Sequence, residues 1–169
     1  GLPGNNVQAL LVDAEDRVWA AVEGGGVSVL DAARDRFTHL RSSTHPQLGS
    51  DDVWAIARQG DAVWLGTYDG GLHRIDAAGA ITRFTVAEGL PSDTVLALAV
   101  DAAGLLWVGT DAGLARQHAG SFQSVSPPGA DGPLLVYSLT QQAGGLWIGT
   151  AQGVWLAHAS GWSRPAWSG

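Results

Sequence analysis

Two sets of polar residues recur along this chain of 169 residues. The first, Asn6, Asp52 and Asp93, stands just ahead of apolar runs that open at Val7, Val53 and Val95. The second, Glu23, Tyr68, Asp69, Asp111 and Gln152, follows a short phrase built on tryptophan or its decayed copy. Carboxylates, amides and a phenol donate and accept hydrogen bonds. Gathered at one place they could hold a cation or a hydroxyl-rich ligand such as a glycan fragment.

Covalent chemistry finds less support. Cysteine is absent, which excludes disulfides, thiolate metal sites and a cysteine nucleophile. His39, His45, His73, His118 and His158 show no metal-ligand spacing, and no His-x-x-x-His occurs. The calcium-loop pattern, the Gly-x-Ser-x-Gly elbow and the Walker loop are all missing. Gly24-Gly25-Gly26 precedes a strand rather than a helix, so it is no phosphate loop. The sequence therefore offers no catalytic set, no metal site and no cofactor site.

The elements that must position the polar sets come from a repeat. Trp64-Leu65-Gly66-Thr67, Trp107-Val108-Gly109-Thr110 and Trp147-Ile148-Gly149-Thr150 share one phrase, with a decayed copy at Trp19-Ala20-Ala21-Val22. The tryptophans lie 45, 43 and 40 residues apart. A period near forty means one supersecondary unit copied in tandem. The copies run over approximately 1–47, 48–88, 89–131 and 132–169, within one domain spanning 1–169. Each holds four short apolar stretches, with turns every 8 to 12 residues or so, the signature of an antiparallel meander. The last stretch is centred on Phe37, Phe84, Phe122 and Trp162.

The first stretch of each unit, such as Val95 to Val100, is nearly all apolar and must be covered on both faces. Stacking between two like sheets gives that cover. The fold class read from this is all-β: a β-propeller of four-stranded antiparallel blades, four of them in this chain. Gly66, Gly109 and Gly149 are placed where neighbouring blades crowd. Trp19, Trp64, Trp107 and Trp147 are placed between blades. Trp54, Trp155, Trp162 and Trp167 fall outside that register and are freer to act, although packing suits them as well.

In a propeller, the turn before the innermost strand and the turn after the second strand open on the same end of the central channel. The two polar sets therefore converge there in one acidic funnel. Asn5, Asp51 and Asp93 also have a simpler role, bonding the backbone two residues on to hold the turn. Asp13 and Asp101 belong to the opposite end as turn formers.

The phrase Asp-x-x-Gly-x-Leu-Trp-Val-Gly-Thr-x-x-Gly-Leu at Asp101 to Leu114, with Gly-Leu-Pro-Ser-Asp-Thr-Val ahead of it, resembles the two-component regulator propeller repeat. The resemblance is strongest in the second and third units and weakest at the Gly-Thr position of the first. It implies the periplasmic input region of a hybrid sensor histidine kinase or diguanylate cyclase, non-catalytic in this segment, with the output domain elsewhere. It also implies a seven-bladed ring, of which four repeats are about half. The chain starts and stops with its repeats, which suggests a piece of a longer protein.

Composition narrows the partners. A net charge of −7 disfavours nucleic acid and anionic membrane surfaces. No apolar run approaches the ~20 residues of a membrane span. The expected partners are a small molecule or glycan fragment, and further blades or a second copy against the open ends. Two other readings stand beside the sensor: a propeller enzyme of lyase or lactonase type, and a carbohydrate-binding lectin scaffold.

Overall fold

The computed structural model describes residues 1–166. Four sheets follow one another, each of four sequential antiparallel strands. The first blade holds β1 (Val7–Val12), β2 (Val18–Val22), β3 (Gly26–Leu30) and β4 (Phe37–Leu40). The second holds β5 (Val53–Gln59), β6 (Ala62–Thr67), β7 (Leu72–Ile75) and β8 (Ile81–Phe84). The third holds β9 (Val95–Val100), β10 (Leu106–Thr110), β11 (Leu114–His118) and β12 (Ser121–Val125). The fourth holds β13 (Val136–Gln142), β14 (Gly145–Thr150), β15 (Gly153–His158) and β16 (Gly161–Ser163). Among the described residues no helix is long and apolar enough to cross a membrane.

Alternation along the strands sends one face of each blade forward and the other back. Trp19, Ala21 and Val29 of the first blade share a buried cluster with Val53, Val63 and Leu65 of the second. Trp64 and Leu72 share the next with Leu106 and Val108, and Trp107 and Leu114 share the last with Leu146, Ile148 and Trp155. Three seams thus join four blades. The inner strands pack in the order β1, β5, β9, β13, and no comparable packing joins β13 back to β1. The ring is open, a partial propeller.

The crowding expected at the repeat glycines is real at two of the three positions. A Cβ on Gly66 would lie 2.5 Å from Val95 Cγ1, and one on Gly109 would lie 2.5 Å from Val136 Cγ1. Both valines belong to the next blade. Gly149 departs from the expectation, because a Cβ there would meet Ser138 of its own sheet rather than a valine of another blade. Trp147 departs likewise: it sits on that last outer face and is only half-buried, whereas Trp19, Trp64 and Trp107 are buried. The expectation that the first strand of each unit is covered on both faces fails for β1, where Leu10 is 67% and Val12 53% exposed. Trp155 is core and Trp162 packs against it; Trp167 lies outside the described residues.

The threonine of the repeat phrase does more than form strand. Its hydroxyl donates to the carbonyl of Gly71, Gly113 or Gly153 at 2.8 Å in the three full copies. That bond closes the turn between the second and third strands, the turn that carries the second polar set.

Candidate ligand-binding site at the channel end

Backbone bonds bring the two polar sets together blade by blade. Glu23 N donates to Asn6 O at 3.0 Å, Tyr68 N to Asp52 O at 2.9 Å, and Asp111 N to Thr94 O at 3.3 Å. In the fourth blade Ala151 N reaches Leu135 O at 3.0 Å. Each blade therefore presents its two turns side by side at one end.

The side chains then divide by what they already hold. Asp93 Oδ1 accepts from Val86 N at 2.9 Å, and Asp52 Oδ1 accepts from Gly24 N of the neighbouring blade at 3.1 Å. Gln152 is paired twice with the Asp131 backbone, at 3.1 and 2.7 Å. These three fix loops. Asn6 donates from Nδ2 to Glu23 Oε2, and both residues are exposed. Tyr68, Asp69 and Asp111 are exposed too. Arg83 and Arg164 donate to the carbonyls of Gly70 and Gln152, so the end carries bases as well as acids.

Asp51 and Asp93 were expected to bond the backbone two residues on. They reach back instead, Asp51 Oδ1 accepting from Ser42 N at 2.6 Å as Asp93 does from Val86 N. The two-residue bond belongs to the serines before them: Ser50 Oγ accepts from Asp52 N and Ser92 Oγ from Thr94 N, both at 3.1 Å. The aspartates are thus left to anchor the incoming connection.

One feature of this end escaped the sequence. Every inner strand shifts register at the same place, between Val7 and Ala9, Val53 and Ala55, Val95 and Ala97, and Val136 and Ser138. A β-bulge inserts one unpaired residue and re-aims its side chain. The residues so inserted are Gln8, Trp54, Leu96 and Tyr137. Gln8 Nε2 approaches Glu23 Oε2 at 3.5 Å. Trp54, 39% exposed, lies against Tyr68, 49% exposed, with ring centroids 5.5 Å apart and planes tilted by 32°. Tyr137 is 59% exposed. Two exposed rings in contact form an apolar platform, and the exposed Asp69 follows Tyr68 in the same turn.

The opposite end is structural, as expected. Asp13 Oδ1 accepts from Glu15 N and Arg17 N, and Asp101 Oδ1 from Ala103 N and Leu105 N, at 2.9 to 3.1 Å. Each second oxygen accepts from a core tryptophan: Trp19 Nε1 on Asp13 and Trp107 Nε1 on Asp101, both at 2.7 Å. Burial works against the Asp13 charge, but the bonds from Trp19 and Arg17 outweigh it and hold the carboxyl below its usual range. Asp101→Ala strands the Trp107 donor and should cost about 1–3 kcal/mol in a urea titration. Ligand affinity at the far end should stay unchanged.

A cleft of about 500 Å³ opens between the third and fourth blades, lined by Trp107, Arg116, His158 and Trp162. Arg116 lies over the Trp107 ring at 5.5 Å. None of the sequence-predicted site residues borders it. Among the described residues no three His, Cys, Asp or Glu side chains gather closely enough to hold a metal ion.

Residues 1–24 and 89–112 match the family model described as two component regulator propeller. Both stretches run from Gly-Leu-Pro through the Asp–Trp pair just described, so the first unit, weakest by its Gly-Thr phrase, matches by its opening. No curated protein matches the chain in sequence. Among solved structures, it is similar to the extracellular domain assigned to a hybrid two component system of B. thetaiotaomicron. Identity there is 24% and TM-score 0.77, over 94% of this chain and 21% of that one. A second domain, assigned to a one component system of the same organism, gives 21% identity and TM-score 0.74 over 97% and 28%. Virginiamycin B lyase from Staphylococcus aureus gives 16% and 0.71 over 95% and 56%. The chain thus spans about a quarter of the two extracellular domains, and at these identities the likeness is one of fold.

Proposed function

The first and third of these blades are two-component regulator propeller repeats, and from that premise we propose that the chain is a non-catalytic, extracytoplasmic input module of a bacterial two-component signalling protein. It binds a neutral, hydroxyl-rich ligand, a glycan fragment, at the channel end. Occupancy changes how neighbouring blades pack, and the change passes to an output domain outside this chain. The supporting observation is the exposed Trp54–Tyr68 platform, with the exposed Asp69 next to Tyr68 in the same turn. Sugar rings offer apolar C–H faces to an aromatic plane and hydroxyls to carboxylates at its rim. A bare metal ion would draw on oxygen ligands and leave the two rings unused.

Calorimetric titration with a panel of short neutral oligosaccharides tests this. Trp54→Ala with Tyr68→Ala should weaken binding at least about tenfold, or ~1.4 kcal/mol. The Asp101→Ala protein should bind like the parent chain. Unaltered affinity after loss of both rings, or no binding to any member of the panel, would contradict the reading. Turnover of a bound sugar would replace it with an enzymatic one.

A further inference from the structure

We propose that the cleft between the third and fourth blades binds a small aryl carboxylate, with Arg116 taking its charge. The cleft is rimmed by the turns beside Asp101, Gly145 and Ala159. These join first to second or third to fourth strands, so they lie at the end of the blades away from the channel site. Nothing in the cleft rests on what the channel end binds, and both of its walls belong to blades of this chain.

Its origin emerges when the seams are compared position by position. The repeat glycines Gly66, Gly109 and Gly149 pair with Leu72, Leu114 and Val154. Counting on equally from those partners, one register position holds Ile75, Gln117 and Ala157. Ile75 is buried in the first seam. In the second, Gln117 Oε1 accepts from Gln59 Nε2 of the preceding blade at 2.6 Å, and the same amide donates to Gly104 O at 2.7 Å. In the third, the Ala157 side chain is too short to bridge the blades. The fourth strand shrinks as well. Leu72 pairs with Phe84, whose ring packs on Trp64 and Phe122 with centroids 5.5 and 5.4 Å away, whereas Leu114 pairs with Val125. Val125 and Ala157 both line the cleft. The side chains that close the second seam are thus cut short in the third, and the cleft is the space they leave.

The same place isolates a positive charge. Arg116 pairs with Trp107 across the strands as Arg74 does with Trp64. Arg74 shares its shallow hollow with Asp61 and Asp76. Among the described residues that line the cleft, Asp101 is the one acid. Both of its oxygens already accept, one from Ala103 N and Leu105 N and the other from Trp107 Nε1. Among the described residues Arg116 makes no ion pair and no hydrogen bond; its half-buried guanidinium stands over the Trp107 ring. In a chain of net charge −7, that cation is left for a ligand.

The walls select what the ligand carries besides its charge. Leu146, Val125 and Ala157 are apolar, and Trp162 stands edge-on to Trp107 with centroids 6.1 Å apart. A flat aromatic body suits such walls, because rings pack edge-to-face or offset. A guanidinium offers a planar fork that matches a carboxylate with two parallel hydrogen bonds. Free phosphate would leave the apolar walls unused. The volume of about 500 Å³ lies within the ~300–1,000 Å³ of small-ligand sites.

Amide-shift titration of the chain with 2-naphthoate at pH 7 tests this. Shifts should concentrate at Ala157, His158 and Gly161, with Tyr68 and Asp69 unmoved. 2-Naphthylmethanol, the same ring system without the charge, should bind about tenfold or more weaker. Arg116→Gln should weaken naphthoate binding by a similar factor. Ala157→Gln keeps Arg116 but restores the side chain that fills the second seam, and it should weaken binding as much. The alcohol comparison needs no substitution, so it decides even where a variant folds poorly. Naphthoate that fails to bind at millimolar concentration, or that shifts Tyr68 and Asp69 instead, would overturn the proposal. So would the alcohol or inorganic phosphate binding as tightly as naphthoate, or unchanged affinity in either folded variant.

Discussion

Trp107→Ala should leave the chain largely unfolded. The indole is 5% exposed, and it fills the seam between the third and fourth blades. It donates to Asp101, stacks edge-on to Trp162 with centroids 6.1 Å apart, and lies under the Arg116 guanidinium. Truncating a buried tryptophan costs ~3–5 kcal/mol, and the orphaned Asp101 oxygen adds to it. Domains hold only ~5–15 kcal/mol in total, and an open ring has fewer seams to draw on. Trp147→Ala is the comparison: the same repeat position on the half-buried outer face. Its urea midpoint should fall much less. Equal shifts for the two variants would mean that the repeat position alone, and not the seam, sets the cost.

The second large effect is acid sensitivity centred on His73. This histidine is fully buried in the seam between the first and second blades, and neither ring nitrogen finds a hydrogen-bond partner of good geometry. Burial pushes its pKa from 6.5 down to about 4; the nearby Arg83 charge adds to the shift, and the Leu65 backbone opposes it weakly. The folded chain therefore binds fewer protons than the unfolded chain between pH 6.5 and 4. Stability should be intact above pH 6.5 and fall through that window, by roughly 3 kcal/mol at its lower end. His73→Leu should abolish the fall there. Asp13 and Glu88, both held below their usual range, begin to lose their contributions only near pH 4.5 and below, so the fall above that pH belongs to His73. Denaturant titrations at pH 7 and pH 4.5 check this. A His73→Leu protein as acid-sensitive as the parent would contradict it.

Much of the architecture is legible in the sequence because it rests on side chains that recur. The tryptophan phrase, the glycines that admit Val95 and Val136, and the Asp13 and Asp101 turns each have a residue type that only one role explains. The open ends are legible in part. Four repeats leave two blade faces open in this chain, but only the exposure of Val7 and the lack of another blade's valine against Gly149 show where. The bulge is not legible in the same way, because it is a property of the backbone. Its inserted position carries Gln8, Trp54, Leu96 and Tyr137, four residues with nothing in common. The signal that could have found it is the frame around them, a valine and a small residue flanking a position free to vary. The loop-holding aspartates mislead for a related reason: Asp93 and Asp69 look alike in sequence, and only the bond to Val86 shows that Asp93 is occupied.

The claim that the channel end is the binding face can be tested directly by mapping backbone amide shifts while the short neutral oligosaccharides are titrated into the chain. The account predicts perturbations concentrated at Gln8, Trp54, Tyr68, Asp69 and Asp111, with the turns at Asp13 and Asp101 unmoved. Perturbations centred on the cleft beside Arg116 and Trp162, or on the Asp13 end, would contradict it.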